Sequence, residues 1–371
     1  MRVTRLRLRD FRSYASAELR LGAGITVIQG RNGAGKTNLL EGLYLACTGR
    51  SFRTASEREA IRFGATVARV ELEAEAGDGA HEISVGLRAG ERRHLRVDGT
   101  PVERLADVTA RPLAGVFSPD RLALVKGGPA LRRAHVDQVV AALRPARADT
   151  RRSYARALVQ RNALLGRLRA GAAGRDALGA WDAELSIHGV ALMGDRREAV
   201  EQLAPRFRAT AAAIGLDGEP EVVYRPRSRS TTAAELAAEL AERLGADLER
   251  GFTVHGPHRD DVALLREGRE LRTYGSQGQQ RLGLLALMLA EREAIALTRG
   301  TAPLMLLDDA MSELDLERRS AVVDALGGAG GQSVLTTTDL DAIPGARDPG
   351  VARATVSGGA VLEATEDWAA A

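Results

Sequence analysis

One stretch near the start of the chain limits what the rest can be. Residues Gly30 to Thr37 read GRNGAGKT, a glycine, four residues, then glycine, lysine and threonine. The stretch is preceded by Gly24 to Gln29 (GITVIQ), short, apolar and β-branched as a buried parallel strand should be. It is followed by Asn38 to Cys47 (NLLEGLYLAC), with leucines at helical spacing. A strand, a glycine loop and a helix in that order form a phosphate cradle. The glycines let backbone N–H groups turn inward around a chain of phosphates, and the helix start adds about half a positive charge. Lys36 then reaches the β and γ phosphates and Thr37 can hold Mg²⁺. The candidate ATP-binding residues are therefore Gly30, Arg31, Asn32, Gly33, Ala34, Gly35, Lys36, Thr37 and Asn38.

Composition makes Lys36 more informative. Of 52 basic residues only Lys36 and Lys126 are lysines, so arginine serves nearly everywhere a generic positive charge would do. A compact ammonium fits inside the loop, whereas a planar guanidinium prefers open phosphates. Lys126, in LVKGGP, is either functional or an ordinary surface residue.

At 371 residues the chain exceeds one ordinary core, which implies two domains or a large head with an insertion. The formal charge of +3 permits a nucleic-acid surface without demonstrating one. The single cysteine, Cys47, excludes a disulfide framework or a zinc site within one chain. No run is apolar enough for a signal peptide or a membrane span, so the expected setting is the cytoplasm. Aromatic residues are 4% of the chain, which argues against base stacking as the main way of holding nucleic acid.

Arg2 to Arg9 alternates as a half-exposed strand, and FRSY (Phe11 to Tyr14) turns into a second strand around Ala17 to Leu21. Arg12 lies either near the nucleotide or at a solvated strand end. Val67 to Ala76, Glu82 to Leu87 and His94 to Val97 alternate in period two and predict an antiparallel sheet beside the parallel one. Leu113 to Phe117 predicts another buried strand. Val136 to Ala142, Arg152 to Ala170, Leu178 to Ala204 and Ala233 to Leu244 predict a helical insertion, broken at Gly171 to Gly174 and at a basic, polar, exposed loop, Arg225 to Thr232. Arg225, Arg227 and Arg229 are candidate DNA phosphate contacts, with a solvated loop as the alternative.

Strand character is expected to return at Phe252 to Arg259. His255 and His258 beside Asp260 and Asp261 read better as a polar turn than as a metal site. YGSQGQQR (Tyr274 to Arg281) places Ser276 and Gly278 at the start of an apolar helix, Leu282 to Leu297. LMLLDD (Leu304 to Asp309) is a buried strand ending in carboxylates. There Asp308 is the natural Mg²⁺ ligand and Asp309 can orient a water. SELD (Ser312 to Asp315) turns into a helix, and Gln332 to Asp339 supplies a last strand ending in threonines. The expected fold is α/β, a phosphate-loop head with a parallel sheet and an antiparallel β subdomain over 1–128 and 246–371, with an inserted helical lobe over 129–245.

The order GRNGAGKTN, SPDRLALVKGGPALRR, GPHRDD, YGSQGQQR, LLDDAMSELD and TTTD resembles the RecF family of ABC-type ATPases allied to SMC proteins, nearly end to end. The resemblance implies that the head is an ABC-type ATPase and that two heads close on two ATP molecules. Ser276, Gln277, Gly278 and Gln279 would then act in trans, facing the γ phosphate at the other subunit's Lys36, with Ser312 and Asp315 in the D-loop. It also implies an ATP-dependent homodimer on DNA where duplex adjoins a single-stranded gap, helping to deliver RecA with RecO and RecR. Asp309 stands where the wider class has glutamate, which implies slow hydrolysis. The switch histidine is replaced by Thr336 to Thr338, which leaves Thr337, with Arg12, as a candidate nucleotide or switch contact, and no glutamine lies near Phe117 to Asp120, which leaves Ser118 and Asp120 without an assigned role.

Three other classes share the loop. The ATPase subunit of a membrane transporter would need a histidine after the last strand and fewer residues between lysine and the LMLLDD strand. A long-armed SMC protein would need sustained heptads. A kinase would leave SQGQ without a function.

Overall fold

The computed structural model describes residues 1–108, 111–172, 178–328 and 330–363. Part of the expected glycine break, residues 173–174, lies outside them. The first strands are β1 (Arg2–Phe11), β2 (Tyr14–Arg20) and β3 (Ile25–Gly30), followed by α1 (Lys36–Thr48) and α2 (Glu57–Ala60). Then come β4 (Val67–Ala76), β5 (Gly79–Arg88), β6 (His94–Val97), β7 (Thr100–Val102) and β8 (Ala114–Phe117). The helices α3 (Ala123–Lys126), α4 (Pro129–Leu143), α5 (Ala148–Arg169) and α6 (Leu178–Ala213) lead to β9 (Pro220–Arg225). Next are α7 (Ala233–Glu242), α8 (Leu244–Arg250), β10 (Asp261–Arg266), β11 (Arg269–Glu270), α9 (Leu271–Tyr274) and α10 (Gln277–Arg299). The chain ends with β12 (Leu304–Leu307), α11 (Leu316–Gly328), β13 (Ser333–Thr337), β14 (Ala352–Ser357) and β15 (Ala360–Glu363).

Two compact units result, residues 1–121, 213–215 and 295–371 in the first and residues 122–212 and 216–294 in the second. In the first, one sheet runs β15-β14-β3-β13-β12-β8, with β14, β3, β13, β12 and β8 parallel. Its middle strands β12 and β13 are buried along their whole length, as strands covered on both faces are. The other sheet is antiparallel, β2-β1-β4-β5-β6-β7, and buries alternate residues such as Leu6, Leu8, Val70, Leu72, Ile83 and Val85. Helix α1 contributes Leu39, Leu40 and Leu43 to the core that both sheets share. It stops at Gly49, whose left-handed backbone returns its N–H to the Leu45 carbonyl at 2.7 Å.

The second unit is drawn differently from the expected lobe because β9, inside 129–245, pairs antiparallel with β10, outside it. That ladder ties residues 246–294 to the helices. Pro205 does not stop α6, which continues to Ala213. Helix α7 starts on a capping box between Thr232 and Glu235. Two expectations are corrected here. Phe252 to Arg259 is not a strand but coil closing in a 3₁₀ turn at Pro257–Arg259. Arg225 to Thr232 is not a freely exposed loop, since Ser228 and Ser230 are buried and the Arg227 N–H donates to Asp260 at 2.7 Å.

Buried charges hold this unit together. Arg196 forks onto Asp137 at 2.7 and 3.1 Å and donates to Asp260 at 3.2 Å and to the Pro257 carbonyl at 2.7 Å. Arg161, fully buried, donates to Asp182 at 2.6 Å, Asp247 at 2.5 Å and Thr253 at 2.8 Å. Among the described residues no helix is long and apolar enough to cross a membrane.

Candidate nucleotide site

The loop from Gly30 to Thr37 joins β3 to α1, and its glycines are demanded by geometry at two points. Gly35 has φ +115°, and a β-carbon there would lie 2.7 Å from the Tyr14 hydroxyl. A β-carbon on Gly30 would lie 2.6 Å from the Val356 carbonyl oxygen. Within the loop the Lys36 ammonium donates to the Gly30 carbonyl at 2.7 Å and the Arg31 carbonyl at 3.1 Å. Burial pushes the Lys36 pKa down, and Asp308 and Asp309 oppose that shift. Arg31, Asn32 and Gly33 are exposed along the loop rim, while Asn38 donates to the Ser13 hydroxyl at 2.9 Å.

The strand β12 delivers Asp308, buried, to the same place. The Thr37 hydroxyl donates to Asp308 Oδ2 at 2.8 Å, and the Thr336 hydroxyl donates to Asp308 Oδ1 at 2.8 Å. The next residue, Asp309, is exposed, takes a left-handed backbone at φ +49°, and donates its N–H to Thr336 at 3.0 Å. The Ser312 hydroxyl donates to the Asp309 carbonyl at 3.2 Å, and Asp315 accepts from the Arg318 N–H at 2.9 Å at the start of α11. A hydroxyl and a carboxylate converging beside a lysine are hard oxygen donors of the kind that suit Mg²⁺.

Some expected residues go elsewhere. Arg12 forks onto the fully buried Glu41 of α1 at 2.8 and 2.6 Å, and the same carboxylate accepts from Ser51 at 2.6 Å and Arg53 at 3.3 Å. Arg12 therefore braces the loop helix from outside rather than ending in solvent. The Thr337 hydroxyl donates to the Asp339 carbonyl at 2.6 Å, so Thr336 is the threonine that meets Asp308. Neither Thr336 nor Glu41 was distinguishable in sequence, because their partners lie 28 and 29 positions away. Arg225 is paired with Glu270; Arg227 and Arg229 are exposed. Lys126 is exposed at the end of α3. His255 meets Glu239, and His258 donates from Nε2 to the Thr253 carbonyl at 3.0 Å while Nδ1 accepts from the Tyr154 hydroxyl at 2.7 Å.

The SQGQ stretch lies in the second unit, at the start of α10. Ser276 donates its N–H to the Gln279 side-chain oxygen at 2.9 Å, and its hydroxyl accepts from the Gln279 N–H at 3.3 Å. The helix start is thereby closed by a capping pair, and Ser276, Gln277 and Gly278 face outward, exposed.

A family model described as the RecF/RecN/SMC N terminal domain matches residues 2–348. The DNA replication and repair protein RecF of Myxococcus xanthus is 40% identical over 97% of this chain and 97% of its own. The chain belongs to the RecF family. RecF of Heliobacterium modesticaldum is 38% identical, over 92% of this chain and 94% of that one. Among solved structures, a RecF–ATP complex described as a recombination mediator of the RecFOR pathway superposes with a TM-score of 0.87 at 27% identity, covering 98% of both chains. An Smc head bound to the C-winged helix domain of ScpA gives 0.62 at 16% identity over 100% of this chain and 99% of that one, a likeness of fold alone. The RecF-family fold seen here is that of an ABC-type ATPase head.

Proposed function

We propose that this RecF-family chain is an ATP-switched, DNA-binding recombination mediator. The observation that carries the proposal is the convergence of Lys36, Thr37, Asp308 and Asp309, together with an exposed helix start at Ser276 in the other unit. Lys36 would hold the β and γ phosphates once they displace its two carbonyl contacts. Thr37 and Asp308 would hold Mg²⁺, which when bound offsets charge developing on the transferred phosphate. Asp309 would orient the attacking water. Its carboxylate is one methylene shorter than the glutamate of the wider class, which supports slow turnover. Thr336 keeps the Asp308 carboxylate turned toward Thr37.

Ser276 and the N–H groups of Gln277 and Gly278 would receive the γ phosphate held by a second copy of the chain. ATP would then bridge the two copies, and hydrolysis would release them. The relatives' names support a role on DNA and, through the RecFOR pathway, RecO and RecR as partners; the family resemblance implies the closed dimer on duplex beside a single-stranded gap, RecA as a further partner and the cytoplasm as the setting. Arg225, Arg227 and Arg229 remain the proposed phosphate contacts.

The test is the mass of the protein in solution with ATP, with ADP and without nucleotide, each with and without gapped duplex. The expected result is a dimer that forms with ATP, holds DNA and relaxes with ADP. A monomer under every condition would overturn the proposal.

A further inference from the structure

Next to Ser276, Gln277, Gly278 and Gln279 stands a fifth residue with a part in the same helix start. Gln280, on the first turn of α10, is 6% exposed, and its side chain points back at α9 rather than outward. Its amide donates to the Leu271 carbonyl at 2.9 Å, the Gly275 carbonyl at 3.1 Å and the Arg272 carbonyl at 3.3 Å. The Leu271 carbonyl also accepts the Gly275 N–H at 3.0 Å, while the Arg272 and Gly275 carbonyls lie at the end and exit of a four-residue helix, where the intrahelical donors run out. A single side chain thus satisfies the end of α9 and joins it to the start of α10. The backbone N–H of Gln280 donates to the Ser276 carbonyl at 2.9 Å. Ser276 is consequently held by its N–H and hydroxyl through Gln279 and by its carbonyl through Gln280.

The approach of the two helices leaves no slack. A β-carbon on Gly275 would lie 2.8 Å from the Leu271 carbonyl oxygen, and one on Gly283 would lie 2.7 Å from a Leu271 methyl. The Gln280 side-chain oxygen is itself buried without a hydrogen-bond partner. Desolvating such an acceptor without a partner is unfavourable. An apolar residue of the same length would avoid that cost, so the amide's two N–H groups, shared among three carbonyls, are what distinguish glutamine here.

We propose that Gln280 is a positioning residue: it clamps α9 onto α10 and so fixes the outward-facing Ser276, Gln277 and Gly278 for the phosphate presented by a second copy of the chain. The inference rests on the ATP-bridged dimer proposed above. It locates the determinant of that bridge in a residue that touches no nucleotide.

Gln280→Met keeps the length and removes the donors. The full-length variant should bind ATP as a monomer with wild-type affinity. Its ATP-dependent dimerisation should weaken by at least about tenfold, the scale expected when a binding group is displaced by a fraction of an ångström to an ångström. Gly275→Ala, which pushes the Leu271 carbonyl away, should reproduce the loss if Gln280→Met folds poorly. Leu240→Ala, a core truncation in the same unit, controls for lowered stability and should still dimerise. Wild-type dimerisation of Gln280→Met, or equal loss in Leu240→Ala, would overturn the clamp while leaving the bridged dimer intact. A wild-type chain that stays monomeric with ATP would overturn both.

Discussion

The phosphate loop and the GPHRDD segment are both polar structures in tightly packed surroundings, yet they are built by opposite means. In the loop, eight consecutive residues supply nearly everything: glycine backbone, a lysine folded onto its own carbonyls, and one hydroxyl reaching Asp308. Around Asp260 the partners come from α4, α6, β9 and the segment after it. Arg133 donates to its carbonyl at 2.7 Å, and Arg196, Tyr224 and the Arg227 N–H donate to its carboxylate. Such carboxyl burial pushes the Asp260 pKa up, and the donors around it oppose that shift. The first arrangement is poised for a ligand. The second is already satisfied, and its work is to hold helices and a small sheet together.

The sharpest break in that comparison is a truncation in the buried network. Arg161→Met leaves Asp247 buried without its cation, and the unfolding free energy should fall by about 3–5 kcal/mol in a denaturant titration. Lys36→Arg should do the reverse, cutting ATP turnover by about a hundredfold while moving the unfolding midpoint little. Ser276→Arg should leave ATP binding by the monomer intact and block ATP-dependent dimerisation; lost nucleotide binding would show that Ser276 does not act across copies.

A pH titration separates the regions more gently. Burial pushes His258 down to about 4 from an ordinary 6.5, so between those values the unfolded chain takes up the proton first. Stability should be level above pH 6.5 and fall as pH drops toward 4, and His258→Asn should flatten that slope. The smallest effect belongs to Thr232→Ala, which removes one half of the α7 capping box and should cost about 1 kcal/mol without changing nucleotide affinity.

The legible parts of the fold were those whose signal is local. The β-branched run of β3, the leucines of α1, the alternation of β4 to β6 and the carboxylates closing β12 each carry their period or motif within ten residues or so. The pairing of β9 with β10 was not legible, because a strand inside an alanine-rich helical region is chosen by a partner strand 36 to 46 positions on. The same holds for Arg12. Whether its guanidinium turned to a nucleotide, to solvent or to Glu41 depended on where α1 lay against the turn.

By itself, then, the sequence determined a phosphate loop of fixed backbone geometry, a carboxylate strand to face it and a capped helix start, since glycine conformations, periodicity and capping act over a few residues. The tertiary structure alone decided that Thr336 orients Asp308, that Arg12 braces the loop helix through Glu41 and that Gln280 folds back to hold α9. Each of those choices is a hydrogen bond between groups that only chain folding brings within 3 Å or so.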